Sequence, residues 1–307
     1  MPSYVCYGLT LQSEIELPEL DSRAVGQRSG DGADIVIQFG ALSGPSPSAA
    51  IVAGGLWRSA TACGLAVEDV ARFEARDGAR IVIDPVPRAD ERAIRLFLLG
   101  TVMGAVMMQR GHLVLHGNGL RMGDACAVVV GHSGTGKSTL AAEFARRGLS
   151  VLSDDVVPVD GRGRALPGYP RIKLWEDSLP QFGLAPDGLE RVRAEAPKYS
   201  VPIAAGDAAS LPVRWVYALE THDEPDLTLA PLTGIAKFAL LSEHTYRRQL
   251  LVGEAAVWQH AQLCATVGEQ AQIARILRPA GTMTPAATAD FILNDIETKH
   301  GARSGLR

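Results

Sequence analysis

The segment from Gly131 to Thr139 contains the phosphate-binding pattern G-x-x-x-x-G-K-[ST]. Glycines in such a loop let backbone N–H groups converge on phosphate oxygens, and the following helix adds about half a positive charge at its N-terminus. Lys137 is expected to reach the β- and γ-phosphates of ATP, and Ser138 to bind Mg²⁺. The predicted nucleotide-binding residues are Gly131, Ser133, Gly134, Thr135, Gly136, Lys137, Ser138 and Thr139.

The residues around this loop have the order strand, loop and helix that phosphate binding requires. Ala125 to Val130 is a continuous apolar run, typical of a buried central strand. Ser138 to Arg147 carries apolar residues at helical spacing, and Gly148 follows as a common helix terminator. The alternative is a glycine-rich turn that matches the pattern by chance, and this context disfavours it.

Two adjacent carboxylates, Asp154 and Asp155, follow the apolar segment Leu149 to Leu152, which predicts a second strand. A right-handed crossover makes this strand parallel to the first, so the acidic pair is expected at the edge where phosphate binds. Neighbouring side chains on an extended segment point in opposite directions, so one carboxylate can meet the metal while the other faces an acceptor hydroxyl. The alternative is an ordinary polar turn.

A histidine, His116, ends the predicted strand Leu113 to Leu115, which Gly117-Asn118-Gly119 is expected to turn into the next strand. A lone histidine beside an apolar strand is often structural. Its position 15 residues before Gly131 makes it a candidate site residue as well.

Cationic side chains outside the loop are further candidates. Arg171 and Lys173 either clamp a phosphate or an acidic peptide, or form a solvated basic face. Arg247, in Tyr246-Arg247-Arg248, either stabilises transition-state charge or decorates an exposed helix.

From His112 to Trp175, about a fifth of the chain, the sequence resembles HPr kinase/phosphorylase and its HPr-kinase-like relatives. The shared features are the histidine, G-x-S-G-x-G-K-S and the acidic pair at matching spacings. The resemblance implies an α/β P-loop kinase domain akin to phosphoenolpyruvate carboxykinase. It also implies that Asp155 is the acid/base for an acceptor serine, that His116 supports this carboxylate, and that Asp154 binds metal or orients its neighbour.

The sequence departs from the family at a later signature, a Glu-Ile-Arg-Gly-type segment that supplies a metal-binding glutamate. Residues 167–177 occupy its place, and Glu176 is the candidate replacement ligand. This stretch is similar to a divergent branch that phosphorylates lasso-peptide precursors, so HPr itself is not the expected acceptor.

Composition limits the other classes of function. The chain has 307 residues, of which 47% are hydrophobic and 21% charged, as in folded soluble proteins. A net charge of −4 gives no general attraction to nucleic acid or anionic membranes. The longest apolar stretch, Leu96 to Met108, is too short to cross a bilayer of ~30 Å and predicts a buried helix. With no signal-peptide pattern and no Cys spacing for zinc or disulfides, we expect a cytoplasmic protein.

The chain is predicted to have two domains and a tail. Residues 1–110 read as a β-rich N-terminal domain for acceptor recognition, with a hairpin at Asp77-Gly78 and a closing helix over about 89–109. Residues 111–298 form the predicted P-loop domain, with further helices near Glu254 to Val267 and Pro285 to Glu297. Residues 299–307 are expected to fray.

These features predict an ATP- and Mg²⁺-dependent serine kinase that acts on a peptide or small protein. A small-molecule kinase is one alternative. A nucleotide-dependent sensor or assembly factor, in which hydrolysis only switches conformation, is another. The sequence leaves a homo-oligomer open.

Overall fold

A computed structural model describes residues 1–20, 32–46, 49–193, 196–204, 209–251, 253–280 and 284–304. These residues form a mixed α/β structure with several sheets, and the predicted α/β class is confirmed at this level. None of the described helices is long and apolar enough to span a membrane.

The first sheet is built from eight strands in the first 85 residues: β1 (Ser3–Cys6), β2 (Leu9–Ser13), β3 (Ile35–Phe39), β4 (Ala50–Ile51), β5 (Leu56–Arg58), β6 (Ala62–Val67), β7 (Ala71–Arg76) and β8 (Arg80–Pro85). Their spatial order is β1-β2-β3-β8-β7-β6-β5-β4. The hairpin predicted at Asp77-Gly78 joins β7 to β8, and both turn residues have positive φ. The alternating sequence pattern of this region therefore predicted strands, and the structure has strands there.

One long helical segment follows the first sheet. It consists of α1 (Glu91–Phe97), a π-helical turn (Leu98–Val102) and α2 (Met103–Gln109), as the apolar run predicts. The core beneath it includes residues on both sides of position 110, because Leu98 and Met103 share a hydrophobic cluster with Val114, Val156 and Tyr246. The predicted boundary near residue 110 stays a prediction.

The second sheet carries the phosphate-binding pattern. Its strands are β9 (Leu113–Met122), β10 (Ala125–Gly131), β11 (Val151–Val159), β12 (Arg164–Ala165), β16 (Leu211–His222), β17 (Thr228–Pro231) and β18 (Gln272–Pro279). Helix α3 (Lys137–Arg146) begins after the loop that follows β10. Alternate residues of β10 pack into two different cores, Ala127 and Val129 into one and Val128 and Val130 into the other. This burial on both faces explains the continuous apolar run.

Two expectations about strands near the site were wrong. β9 runs straight through Gly117-Asn118-Gly119 without a turn, and β11 continues past the acidic pair to Val159. β10 and β11 do run in the same direction, but β9 lies between them and pairs antiparallel with both. Asp155 therefore lies in a row with Gly117 and Val130, one residue before the loop begins.

A third, smaller sheet stands beside the acidic pair. Its strands are β13 (Arg171–Trp175), β14 (Glu190–Arg193) and β15 (Ala196–Pro202), with β15 in the middle. A 3-10 helix (Glu176–Phe182) follows β13. One face of this sheet is buried against α3 through Ile172, Leu174, Tyr199 and Val201.

The remaining helices cover the second sheet. They are α4 (Ile235–Glu243), α5 (Glu254–Gln270) and α6 (Pro285–Ser304), and a 3-10 turn (Arg248–Leu250) separates α4 from α5. The two helices predicted in this region are confirmed and extend further than expected. The predicted tail 299–307 begins inside α6 and ends outside the described residues.

Candidate functional site

The loop between β10 and α3 has the backbone that the pattern predicts. Gly134 and Gly136 have φ of 86° and 81°, in the left-handed region that glycine enters without steric cost. Ser133 and Gly134 are exposed at its tip, and Thr135 Oγ1 donates to the carbonyl of His132 at 2.8 Å. Arg278, on β18, donates to the carbonyl of Thr135. Thr139 lies half-buried in the first turn of α3.

The ammonium group of Lys137 is folded over this loop. It donates to the carbonyl oxygens of Gly131 at 2.7 Å and His132 at 3.0 Å. Burial lowers its pKa, and the charges of Asp155 and Asp154 partly oppose that shift. The lysine thus lies at the mouth of the loop, where a phosphate would meet both its charge and the backbone N–H groups of α3.

Asp154 is buried and joins three elements. Its Oδ1 accepts from Ser138 Oγ at 3.2 Å and from Asn118 Nδ2, and its Oδ2 accepts from the backbone N–H of Lys173 at 2.8 Å. Burial raises its pKa, and the neighbouring charge of Asp155 raises it further. The start of α3, strand β9 and strand β13 therefore meet at one carboxylate.

Asp155 has a different set of side-chain partners from Asp154, but it does not follow simple strand alternation, because it contacts His116, which lies on the same face of β9 as Asn118. Its Oδ1 lies 3.3 Å from His116 Nδ1, and its Oδ2 accepts from Lys173 Nζ at 3.3 Å. The side chain is 29% exposed, so it is reachable from solvent while Asp154 is not. Its φ is 74°, a left-handed conformation that is uncommon for a residue with a side chain.

The charges around Asp155 keep it ionised. Burial alone would raise its pKa, but Lys173, His116 and Lys198 outweigh burial and lower the pKa to about 2. The pKa of Lys173 is raised, because its burial is outweighed by Tyr169, Asp155 and Asp154. Burial lowers the pKa of His116 more than Asp155 raises it, so the imidazole is neutral near pH 7.

A second layer of contacts connects His116 to the long helix. The His116 ring packs against Tyr246 with 5.6 Å between centroids, and the Tyr246 hydroxyl lies 3.3 Å from Thr101 Oγ1 in the π-helical turn. Arg247 is exposed in a left-handed turn, not on a helix, and its guanidinium donates to Thr101 at 3.5 Å. Arg247 lies beside Tyr246, which packs against His116. Among the described contacts, none joins Arg247 to Asp154 or Asp155.

Glu176, the candidate metal ligand, is placed differently. Its carboxylate accepts from the Tyr199 hydroxyl at 3.2 Å and lies 3.8 Å from Arg191. Among the described contacts, none joins it to Ser138 or Asp154. No group of three or more His, Cys, Asp or Glu side chains suited to a metal occurs in the part of the chain that the structure describes.

Sequence reasoning missed two residues of the site. Asn118 had been assigned to a turn, although it lies beside Asp154 in the register of β9 and β11. Lys198 comes from β15, where it pairs with Trp175 and places its ammonium 5.5 Å from the Trp175 ring. Its charge affects the pKa of Lys137, Asp154 and Asp155. Asn118 follows His116 by two residues, a spacing that puts both on one face of a strand and would have been a usable signal.

The residues present fit Mg²⁺ and a nucleoside triphosphate. Ser138 and Asp154 form the hydroxyl and carboxylate pair that Mg²⁺ uses in P-loop sites, where phosphates and waters complete an octahedron of oxygens. Asn118 Oδ1 is buried beside them and has no hydrogen-bond partner within the described residues, so it is a third oxygen available there.

No protein-family model matches the chain, and no curated protein matches it. Among solved structures, the chain is similar to the Hpr(Ser) kinase/phosphatase from Coxiella burnetii, with 15% sequence identity and a TM-score of 0.28. The similarity covers 62% of this chain and 95% of that chain. Function is therefore inferred from the site itself.

Proposed function

We propose that this chain is an ATP-dependent kinase that transfers the γ-phosphoryl group to a serine hydroxyl of a peptide or small protein. The observation that supports this most directly is the hydrogen bond between Ser138, at the start of α3, and Asp154, whose neighbour Asp155 remains accessible. A phosphate-binding loop, a candidate metal position and an accessible carboxylate then lie side by side. On this reading, residues 111–298 are an HPr-kinase-like P-loop domain.

Each residue of the cluster has a proposed role. Lys137 and the N–H groups at the start of α3 hold the β- and γ-phosphates, and Ser138, Asp154 and the oxygen of Asn118 hold Mg²⁺. When bound there, Mg²⁺ would supply positive charge that offsets the negative charge of the phosphates. Arg247 is a candidate for additional charge stabilisation on the acceptor side, and His116 positions Asp155.

The proposed transfer is a direct displacement. The serine oxygen forms a bond to the γ-phosphorus, the bond from that phosphorus to the bridging oxygen breaks, and ADP leaves with the electron pair. Asp155 accepts the serine proton. Because its pKa is about 2, Asp155 orients the hydroxyl first and takes the proton only as the new bond makes that proton strongly acidic.

The acceptor class rests on the sequence resemblance. We propose a peptide acceptor in the cytoplasm, with lasso-peptide precursors as the candidate class. A sensor or assembly factor would hydrolyse ATP equally well with or without an acceptor, so acceptor-dependent ADP release distinguishes the two functions.

The experiment compares the wild-type protein with Lys137→Ala, using ATP, Mg²⁺ and a library of short serine-containing peptides. ADP release and mass analysis of the peptides are measured. Transfer should fall by ~10²-fold or more, because the lysine charge is aimed at the transition state. Arg214→Ala, at an exposed position of β16, serves as the control. Wild-type transfer by a folded Lys137→Ala protein would refute the proposal, and phosphate transfer to a metabolite instead would favour a small-molecule kinase.

A further inference from the structure

A cleft lies between helix α1 and the third sheet, directly beside the acidic pair. Its lining includes Arg92 and Arg95 from α1 and Arg171, Lys173, Glu190 and Ser200 from the third sheet. Lys173 also donates to Asp155, so one lining residue of the cleft contacts the carboxylate that is proposed to meet the acceptor hydroxyl.

The wall formed by the third sheet is cationic because of simple alternation. Residues that point to one face of β13 and β15 pack into the core, and their neighbours along each strand point to the other face. The buried set is Ile172, Leu174, Tyr199 and Val201, and the opposite set is Arg171, Lys173, Trp175, Lys198 and Ser200. Of this opposite set, Arg171, Lys173 and Ser200 line the cleft, so β13 and β15 contribute two positive charges and no acidic side chain to it.

Two acidic side chains, Glu19 and Glu190, line the cleft together with five cationic ones, Arg92, Arg95, Arg171, Lys173 and Arg191. Arg95 is 8% exposed and binds Glu19 at 2.8 Å and Glu190 at 2.9 Å. Arg171, by contrast, donates to Ser200 Oγ at 3.2 Å and has no ion pair within the described residues. Its charge is therefore available to a ligand.

We infer that this cleft binds the acceptor as an extended peptide that carries an acidic side chain two residues from the phosphorylated serine. The inference rests on the proposed function for the position of the serine, next to Asp155 and Lys173. Arg171 lies two residues from Lys173 along β13, a distance of ~7 Å along a strand. An extended peptide spans the same distance in two residues, which places its carboxylate against the guanidinium of Arg171.

The test uses fluorescent serine peptides that are identical except two positions from the serine on each side. One peptide carries Glu there and the other carries Lys. Binding is measured by fluorescence anisotropy without nucleotide, so it does not depend on catalysis. The wild-type protein should bind the Glu peptide about tenfold more tightly than the Lys peptide, because a hydrogen-bonded charge pair contributes ~1.5 kcal/mol or more.

Variants then assign the preference to Arg171. Arg171→Glu should reduce the affinity ratio to one or below, and Arg171→Gln should give an intermediate ratio. Arg214→Glu changes the same charge on exposed β16 and should keep the wild-type ratio. The affinity ratio is measured within one preparation, so a misfolded fraction of the protein affects both peptides equally. If Arg171→Glu does not fold, Arg171→Gln provides the test.

Three results would overturn the inference: binding of neither peptide by the wild type, equal binding of both, or an unchanged ratio in Arg171→Glu. Selective binding of the Glu peptide without phosphate transfer would count against the proposed function alone. The two failures are therefore distinguishable.

Discussion

The ammonium nitrogen of Lys173 lies 3.3 Å from Oδ2 of Asp155, and the lysine side chain is only 12% exposed. The backbone N–H of the same residue binds Asp154. One lysine thus contacts both members of the acidic pair, and through its charge it helps to hold the pKa of Asp155 at about 2.

Replacement of this lysine, Lys173→Met, should raise the pKa of Asp155, because burial then acts with less opposing charge. The acid limb of the pH profile for peptide phosphorylation should move upward by about one unit or more. Lys198→Met is the comparison and should give a smaller shift in the same direction. An unmoved acid limb in Lys173→Met would mean that Asp155 does not control the reaction.

The same pair affects stability at low pH. The pKa of Asp155 lies below its ordinary value of 3.8, so its contribution to stability is present above that value and is lost as pH falls toward about 2. The acid-unfolding curve of Lys173→Met should lack this part of the transition, as measured by circular dichroism.

The two aspartates should be separable by substitution. Asp155→Asn should abolish serine phosphorylation and leave ATP·Mg²⁺ binding nearly intact, because an amide keeps the shape but cannot accept the proton. Asp154→Asn should weaken nucleotide binding, since Asp154 binds Ser138. His116→Ala should resemble Asp155→Asn but be milder. Isothermal titration measures nucleotide binding, and mass analysis of the phosphopeptides measures transfer. If Asp154→Asn lost transfer with nucleotide still bound while Asp155→Asn kept normal transfer, the roles of the two aspartates would have to be exchanged.

Substitution of Asn118 should alter the dependence on Mg²⁺. Asn118→Leu removes the amide that donates to Asp154 and the buried oxygen beside it, so we expect the Mg²⁺ concentration for half-maximal activity to rise severalfold. Asn118→Asp keeps an oxygen and should be less affected in Mg²⁺ affinity. A Leu variant with wild-type Mg²⁺ dependence would exclude Asn118 from the metal site.

Loss of Arg95 should destabilise the fold. Arg95→Met leaves Glu19, which is 13% exposed, and Glu190, which is 32% exposed, without their shared partner. We expect a loss of ~1–3 kcal/mol in the free energy of unfolding by urea. Arg92→Met, on the same helix with a side chain that is 50% exposed, should change it by less than about 0.5 kcal/mol. Equal effects of the two substitutions would contradict a structural role for the buried pair.

The sequence predicted the elements that local pattern controls. The hairpin at Asp77-Gly78, the apolar strand before the loop, the helix after it and the long apolar helix all depend on residues that are neighbours in sequence. The assignment of the catalytic roles, of the nucleotide and of the acceptor stays a prediction.

Gly117-Asn118-Gly119 misled the prediction because glycines in a strand imitate a turn. A side chain at Gly117 would place its Cβ 2.3 Å from the carbonyl oxygen of Val129, so glycine is required there by the close approach of β10. Asp155 similarly looked like the end of a strand, because its left-handed backbone interrupts β11 without ending it.

Lys198 could not be placed from the sequence. It reaches the site through antiparallel pairing of β13 with β15, and the register of that pairing depends on packing of Tyr199 and Val201 in the core. No residue type or spacing near Lys198 reports that register.

Asp154 has a thermodynamic consequence, because it joins the start of α3 to the third sheet through Ser138 and the N–H of Lys173. A ligand that shifts β13 would move Asp154 and so change its hydrogen bond with Ser138. A nucleotide that binds at Ser138 would change the hydrogen bond between Asp154 and the N–H of Lys173 in β13. We therefore expect binding in the cleft and binding in the loop to be cooperative. Linkage then requires that the Glu peptide change ATP affinity by the same factor as ATP changes peptide affinity. If neither ligand changed the affinity for the other, Asp154 would connect the two sites structurally without coupling their binding.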